Sequence, residues 1–282
     1  MESTLEQIRE QQKATWNQFA PGWGKWDNWV MNFLKRSGDE IIKQLELKDS
    51  YHVLDVATGT GEPGLTIASL VKNGKVTGQD LSDNMLSFAK QHARTKGIKN
   101  YETVSCDISN LPFPDNSFDA ISCRMGFMFF PDMEKASAEI YRVLRPGGRF
   151  ATAVWGPADK NFWITSIMGP ISKNLKLDPP VPGAPGMFRC SNAVQMLELF
   201  KKAGFKNAKS EEIIDEGEVE SVELYWEYMN DVAAPVVAAL KNASPETVEK
   251  IRNEVFDGLK KTSKDKGKLR LDYSALIFHA TK

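Results

Sequence analysis

A chain of 282 residues, 41% of them hydrophobic, is long enough for a sizeable core. At ~100–200 residues per domain, that length suits one enlarged domain or one domain with a cap. Its 36 Lys plus Arg nearly balance 37 Asp plus Glu, leaving a formal charge of −1 and no basic groove for a nucleic-acid partner. Cys106, Cys123 and Cys190 are scattered without metal-ligand spacing and read as reduced core thiols. Glu2, Glu6 and Glu10 are unlike a signal peptide, and no apolar run approaches the ~20 residues that span a bilayer. The expected location is cytoplasmic.

In chain order, residues 3–20 read as a helix, followed by an aromatic stretch with Trp16, Trp23, Trp26 and Trp29, and then a second helix over about 28–45. Strands and helices alternate from there, as in a parallel sheet covered on both faces. Val53–Ala57 is a short apolar run ending in Thr58-Gly59-Thr60-Gly61 and reads as a buried strand, with Pro63 in the first turn of the next helix. Gly74 ends that helix before a strand at Lys75–Gln79. Ser82 caps a helix with Met85, Ala89 and Ala93 on one face. Strands follow at Glu102–Ser105 and Phe118–Cys123. Asp132 caps a helix carrying Ala136, Ile140, Val143 and Leu144, which Arg145-Pro146-Gly147-Gly148 stops before a strand at Arg149–Trp155. Residues 156–190, rich in Pro and Gly, read as irregular. Ser191 restarts a helix ending at Gly204, a strand lies near 207–214, residues 219–262 read as helical, and the alternation Leu269, Leu271, Tyr273, Ala275, Ile277 suits a terminal strand.

The chemistry-bearing signal is Asp55-Val56-Ala57-Thr58-Gly59-Thr60-Gly61-Glu62-Pro63-Gly64. A strand turning sharply into a helix through glycines admits a ligand close to the backbone and points free N–H groups at an anion. That anion is either a pyrophosphate or the carboxylate of a methionine moiety, because Gly59-x-Gly61-x-x-Gly64 also satisfies the dinucleotide fingerprint. Asp80, nineteen residues after Gly61 at the end of the second strand, can accept both hydrogens of a ribose diol, or cap the helix near Ser82. Asp107 at the end of the third strand can accept from an adenine amino group while the Ile108 N–H serves a ring nitrogen, or it is a turn Asp before Ser109.

Several segments together resemble the class I S-adenosylmethionine-dependent methyltransferases: the glycine turn, Gln79-Asp80-Leu81-Ser82-x-x-Met85-Leu86, Cys106-Asp107, Leu111-Pro112-Phe113-x-Asp115-x-Ser117-Phe118-Asp119 and Tyr141-Arg142-Val143-Leu144-Arg145-Pro146-Gly147-Gly148-Arg149. The group most similar is the ubiquinone/menaquinone-biosynthesis C-methyltransferase type. The resemblance, detailed over about 50–156, implies an α/β, Rossmann-like, seven-stranded and mostly parallel sheet with an antiparallel last strand, to which the chain's own pattern adds N-terminal helices and helical cap insertions. It assigns Asp80 to ribose, Asp107 and Ile108 to adenine, and Asp55, Gly59 and Gly61 to the methionine end; Ala57, Thr58, Leu81 and Met85 complete the expected cofactor set. Arg124 falls where such enzymes touch the cofactor near its methyl group. Many relatives carry a small polar residue there, so Arg124 either touches the cofactor, binds an acidic group of the substrate or pairs with Asp132. The expected organisation is an N-terminal helical lid (1–45), a cofactor-binding core (46–156), an irregular insertion (157–190), a core helix and strand (191–215), a helical substrate cap (216–265) and a terminal core strand (266–282).

Methyl transfer from a sulfonium is a direct displacement in which protein groups position the reactants. His52, His92 and His279 are poorly placed for base catalysis and no metal cluster is visible, so the expectation is metal-independent transfer without a histidine base. Aromatics at 16–29, with Phe127, Phe129, Phe130, Phe162, Trp163, Tyr225, Trp226 and Tyr228, either wall a pocket for a small apolar, aromatic or quinone-like acceptor or form the lid's own core. Arg124, Tyr225, Glu227 and Asp231 are the candidate catalytic or acceptor-side groups. Three rival readings remain: a non-catalytic S-adenosylmethionine-binding sensor or scaffold, an NAD(P)-dependent oxidoreductase and an RNA methyltransferase.

Overall fold

The computed structural model describes residues 4–262 and 268–282. Glu2, residues 263–265 of the expected cap and 266–267 of the expected last strand lie outside them. The strands are β1 (His52–Val56), β2 (Lys75–Asp80), β3 (Tyr101–Ser105), β4 (Phe118–Arg124), β5 (Leu144–Trp155), β6 (Lys206–Val219) and β7 (Leu269–Thr281). They form one sheet in the order β3-β2-β1-β4-β5-β7-β6. β1 to β5 pair in parallel, and β7 runs antiparallel between β5 and β6, as expected for the last strand. The near-continuous apolar runs of β1 and β4 follow from burial on both faces. Chain order reverses where β1 lies beside both β2 and β4, and a crevice opens at the carboxyl ends of these strands.

Three helices precede the sheet: α1 (Leu5–Lys25), α2 (Asp27–Phe33) and α3 (Lys35–Leu45). The first outruns the expected 3–20 and takes in Trp16 and Trp23, even though Pro21 lies inside it. Pro21 cannot donate to the Asn17 carbonyl, but the Asn84 side chain does so at 3.0 Å, which repairs the ladder. The expected helix over 28–45 is interrupted at Leu34. Between strands come α4 (Gly64–Leu70), α5 (Asp83–Thr95) and α6 (Met133–Val143). Ser82 and Asp132 cap α5 and α6 through their side chains, as their spacing predicts.

The remaining helices are α7 (Phe162–Leu175), α8 (Ala193–Lys202), α9 (Val222–Val232), α10 (Ala234–Leu240) and α11 (Pro245–Thr262). The expected irregular insertion at 157–190 therefore needs correction, since α7 occupies 14 of its residues. Its buried Trp163, Ile164, Ile167 and Ile171 keep helical spacing that the downstream Pro and Gly obscure. The cap also begins later than expected, because β6 runs on to Val219. β5 ends at Trp155 opposite Ala275, whereas β6 stays paired with β7 as far as Leu269. The two strands thus extend past their neighbours as an arm, and α9–α11 lie between them in sequence. In β5, the ladder runs from Phe118↔Leu144 to Ala120↔Arg149, so Arg145–Gly148 bulges out before regular pairing begins at Arg149. No helix among the described residues is long and apolar enough to cross a membrane.

Candidate active site

The carboxyl ends of β1 to β4 converge on a cavity that α1 and α2 cover. Register explains the convergence. Asp80 pairs with Ser105, so Asp107 lies two residues beyond the partner of Asp80. Both aspartates line the cavity, as do Ala57, Thr58, Gly59, Leu81, Met85, Ile108 and Arg124.

Asp80 is 8% exposed. One of its carboxylate oxygens accepts from the Gly59 amide at 2.9 Å and the other from the Ser82 amide at 2.9 Å. A carboxylate has about four acceptor sites, so lone pairs remain for a diol. Burial raises the Asp80 pKa, opposed by these amides. Asp107 is a turn acid that also faces the cavity. It accepts from the Ser109 amide and hydroxyl at 3.0 and 2.6 Å, and it also lines the cavity, 3.6 Å from the Arg9 guanidinium of α1. The Ile108 N–H donates to no atom of the described chain.

Two expected residues do not reach the cavity wall. Asp55 is fully buried beneath the turn, where it accepts from the Thr58 hydroxyl (2.5 Å), the Ser122 hydroxyl (2.6 Å) and the Gly64 amide (3.0 Å). Burial pushes its carboxyl up to about 6, against the pull of these donors. Gly61 is also beneath the surface: at φ +120 it suits glycine, and a Cβ there would lie 2.6 Å from Leu65. The expected free N–H groups are mostly consumed as well. Ala57 donates to the Gln79 side chain, Thr58 to the Gln79 carbonyl, Gly59 to Asp80, Gly61 to the Thr58 carbonyl and Gly64 to Asp55. The turn is tied down by its own side chains.

The acceptor-side candidates of the cap also need correction. Tyr225 is fully buried, with its hydroxyl donating to the Trp163 carbonyl at 2.8 Å and 2.9 Å from the Ser166 hydroxyl. Asp231 holds α9 to the lid through Lys25 at 2.7 Å and the Trp26 indole at 2.8 Å. Glu227 is exposed. None of the three lines the cavity. The histidines do not line it either: His52 meets the Thr77 hydroxyl, His92 the Thr60 carbonyl, and His279 sits in β7 opposite Ala151.

The aromatic residues divide into two sets. Trp16, Trp23, Phe129 and Phe130 wall the cavity, and Trp16 makes edge contacts with Trp23 and Phe129. Trp29, Phe33, Trp155, Trp163, Tyr228 and Tyr273 form a core cluster behind it. Gln12, Met31, Leu34 and Gln79 were missed. Gln79 was legible only as the neighbour of Asp80, and it bridges strand ends through the Cys106 carbonyl. The lid residues gave no signal, because only docking of the lid brings them to the crevice. Arg124 does not pair with Asp132, whose carboxylate caps α6 instead.

A family described as "Methyltransferase domain" matches residues 53–148. That stretch contains the glycine turn, Asp80, Asp107 and Arg124. Over these residues the chain is similar to a methyltransferase domain. The demethylmenaquinone methyltransferase of Thermus thermophilus is 40% identical over 108 residues, which is 38% of this chain and 49% of that protein. The chain thus spans about half the length of the curated relatives it matches. Among solved structures, the YcgJ protein of Bacillus subtilis has a TM-score of 0.58 at 21% identity, covering 88% of this chain and 98% of that one, a likeness of fold. The [4+2]-cyclase SpnF has a TM-score of 0.53 at 25% identity over 88% of this chain and 80% of its own. The methyltransferase domain is therefore a scaffold whose architecture recurs in a protein named for different chemistry, so the reaction has to be argued from the site.

Proposed function

We propose that this chain transfers the methyl group of S-adenosylmethionine to a small apolar, aromatic acceptor of quinone-like character. One observation carries the reading: Asp80 and Asp107 line one cavity together with a glycine turn and an aromatic annex. The donors and acceptors present fit an adenosyl group, since Asp80 keeps lone pairs for a ribose diol and the Ile108 N–H lacks an acceptor. The cofactor supplies a methyl already activated on a sulfonium. Asp80, Asp107 and Ile108 would orient the adenosine, while Gly59 and Ala57 let it approach the backbone. Trp16, Phe129 and Phe130 would hold a flat apolar acceptor and exclude water. The named activity of the Thermus relative supports a quinone-like acceptor. No group on the cavity wall is a histidine, and transfer is proposed to need neither a histidine base nor a metal.

Two measurements test this. S-adenosylhomocysteine should raise the melting temperature and nicotinamide dinucleotides should not. Labelled methyl should pass to members of a panel of quinones, phenols, amines and lipids, not to total RNA, and EDTA should leave the rate unchanged. No stabilisation by S-adenosylhomocysteine would remove the reading altogether. Stabilisation without transfer to any acceptor would favour a sensor, or a different reaction as in the SpnF-named neighbour.

A further inference from the structure

The lid end of the cavity carries a guanidinium that makes no contact with an anion among the described residues, and one buried donor without an acceptor among them. Arg124 is the sole cation among the described residues that line it. A guanidinium presents five N–H groups in a planar fork. Its contacts are the Leu34 carbonyl at 3.5 Å and the Met31 thioether at 2.9 Å, neither of them an anion. Of the acids near it, Glu62 lines the same cavity but is paired with Lys96 at 2.6 Å, Asp27 accepts from the Thr60 hydroxyl, and Asp55 lies beneath the turn. The buried donor is the Trp23 indole nitrogen, which has no acceptor among the described residues, and Trp23 is on the wall of the same cavity. Buried donors are nearly always satisfied, so this indole, together with a guanidinium that meets no anion, points to a ligand that brings the oxygen.

The nature of that oxygen follows from charge. The methyl donor is a cation at sulfur, and a guanidinium in the same enclosed space repels it unless an anion stands between them. Given the methyltransferase reading above, on which this rests, we propose that Arg124 and Trp23 form an oxyanion receptor selecting acceptors with an ionised oxygen on an apolar aromatic body. Met31 and Leu34 of the lid, with Trp16, Phe129 and Phe130, supply the wall for that body. The chemistry balances. When the ionised oxygen attacks, it gains the methyl, the carbon–sulfur pair stays on sulfur, and both charges are cancelled. When the neighbouring ring carbon attacks instead, its proton then leaves to solvent and the ionised oxygen is regenerated. In both cases the receptor holds the acceptor in its nucleophilic form without a protein base.

The test compares 1-hydroxy-2-naphthoate with its neutral isostere 1-hydroxy-2-naphthamide, by calorimetry on protein saturated with S-adenosylhomocysteine. Saturation removes any change in cofactor affinity from the comparison. The anion should bind about tenfold or more tighter than the amide, the range of a charge-assisted hydrogen bond. Arg124→Met should bring the ratio to about one, Arg124→Lys should keep part of it, and Trp23→Phe should lower it while keeping an aromatic wall. A ratio near one in the wild type, failure of both naphthalenes to bind, or an unchanged ratio in Arg124→Met overturns the proposal. So does a loss of S-adenosylhomocysteine affinity in Arg124→Met, with 5′-methylthioadenosine unaffected and the ratio intact. That pattern would give the fork to the cofactor's own carboxylate. Failure of the wild type to bind S-adenosylhomocysteine would instead sink the cofactor reading beneath it.

Discussion

A carboxylate with no exposed surface, gripped by two hydroxyls and one amide, makes Asp55 the post around which the glycine turn is wound. Its carboxyl titrates near 6 against an ordinary 3.8, so the folded chain holds a proton more firmly than the unfolded one. That contribution to stability is complete below pH ~4 and is lost as pH rises through about 6. It amounts to about 3 kcal/mol. Asp55→Asn keeps the shape and does not titrate. Between pH 4 and 7 the stability difference should therefore move in the variant's favour by about that amount, measured by urea unfolding. A difference that stays flat with pH would contradict the assignment. Asp80 is the complementary case, a buried acid with lone pairs still to give. Asp80→Asn should weaken S-adenosylhomocysteine binding about tenfold or more, the loss of one charge-assisted bond.

Close approach decides how the lid helix seats. A Cβ at Gly22 would stand 2.1 Å from the Asp231 carbonyl oxygen of α9, and one at Gly24 would meet the Phe88 ring of α5 at 2.3 Å. Gly22→Ala must therefore push α1 off the cap. We expect a loss of about 1–3 kcal/mol, faster hydrogen exchange across α1 and weaker cofactor binding. Gly258, in α11, is the opposite case, exposed and with no contact within 4 Å beyond its own helix for a Cβ placed there. Gly258→Ala should stabilise by about 0.5–1 kcal/mol, read from the urea midpoint. At the far end of α4, the Asn100 amide donates to the Ala68, Val71 and Gly74 carbonyls and so supplies the C-terminal cap. Asn100→Ala should cost about 1–3 kcal/mol by the same measurement. An unchanged midpoint would mean that water replaces the cap at no cost.

Across the whole molecule, the N-terminal helices act as a clamp. Lys25 and Trp26 hold Asp231 of α9, Trp29 donates to the Glu218 carbonyl and Arg36 to the Ile214 carbonyl on the β6 arm, while Arg9 reaches Asp107. Because α1 covers the cavity, a ligand held beneath it should slow hydrogen exchange in α1. It should also add about 2.7 kcal/mol of stability at a hundredfold excess over its Kd. Unchanged exchange in α1 on saturation would argue against the helix as a cover.

The strand-and-helix order and the two aspartates at one end of the cavity were legible from order along the chain. Glycine spacing, an acid at the end of each of two strands and capped amphipathic helices are local patterns, and local patterns survive in one dimension. Even so, Asp55 belongs to the same motif as Gly59 and still turned inward, because alternation along β1 set its face. The lid end was legible only in part. Trp16, Trp23, Phe129 and Phe130 stood out as a possible wall, whereas Gln12, Met31 and Leu34 reach the crevice only when the lid docks, and the cap residues Tyr225 and Asp231 are drawn off by partners 62 and 206 positions away. The strand-and-turn motif thus determined by itself where a nucleotide-like ligand can approach the backbone. Tertiary packing alone decided which side chains wall the lid end of the cavity, since that surface is assembled from segments whose only relation is contact in the folded state.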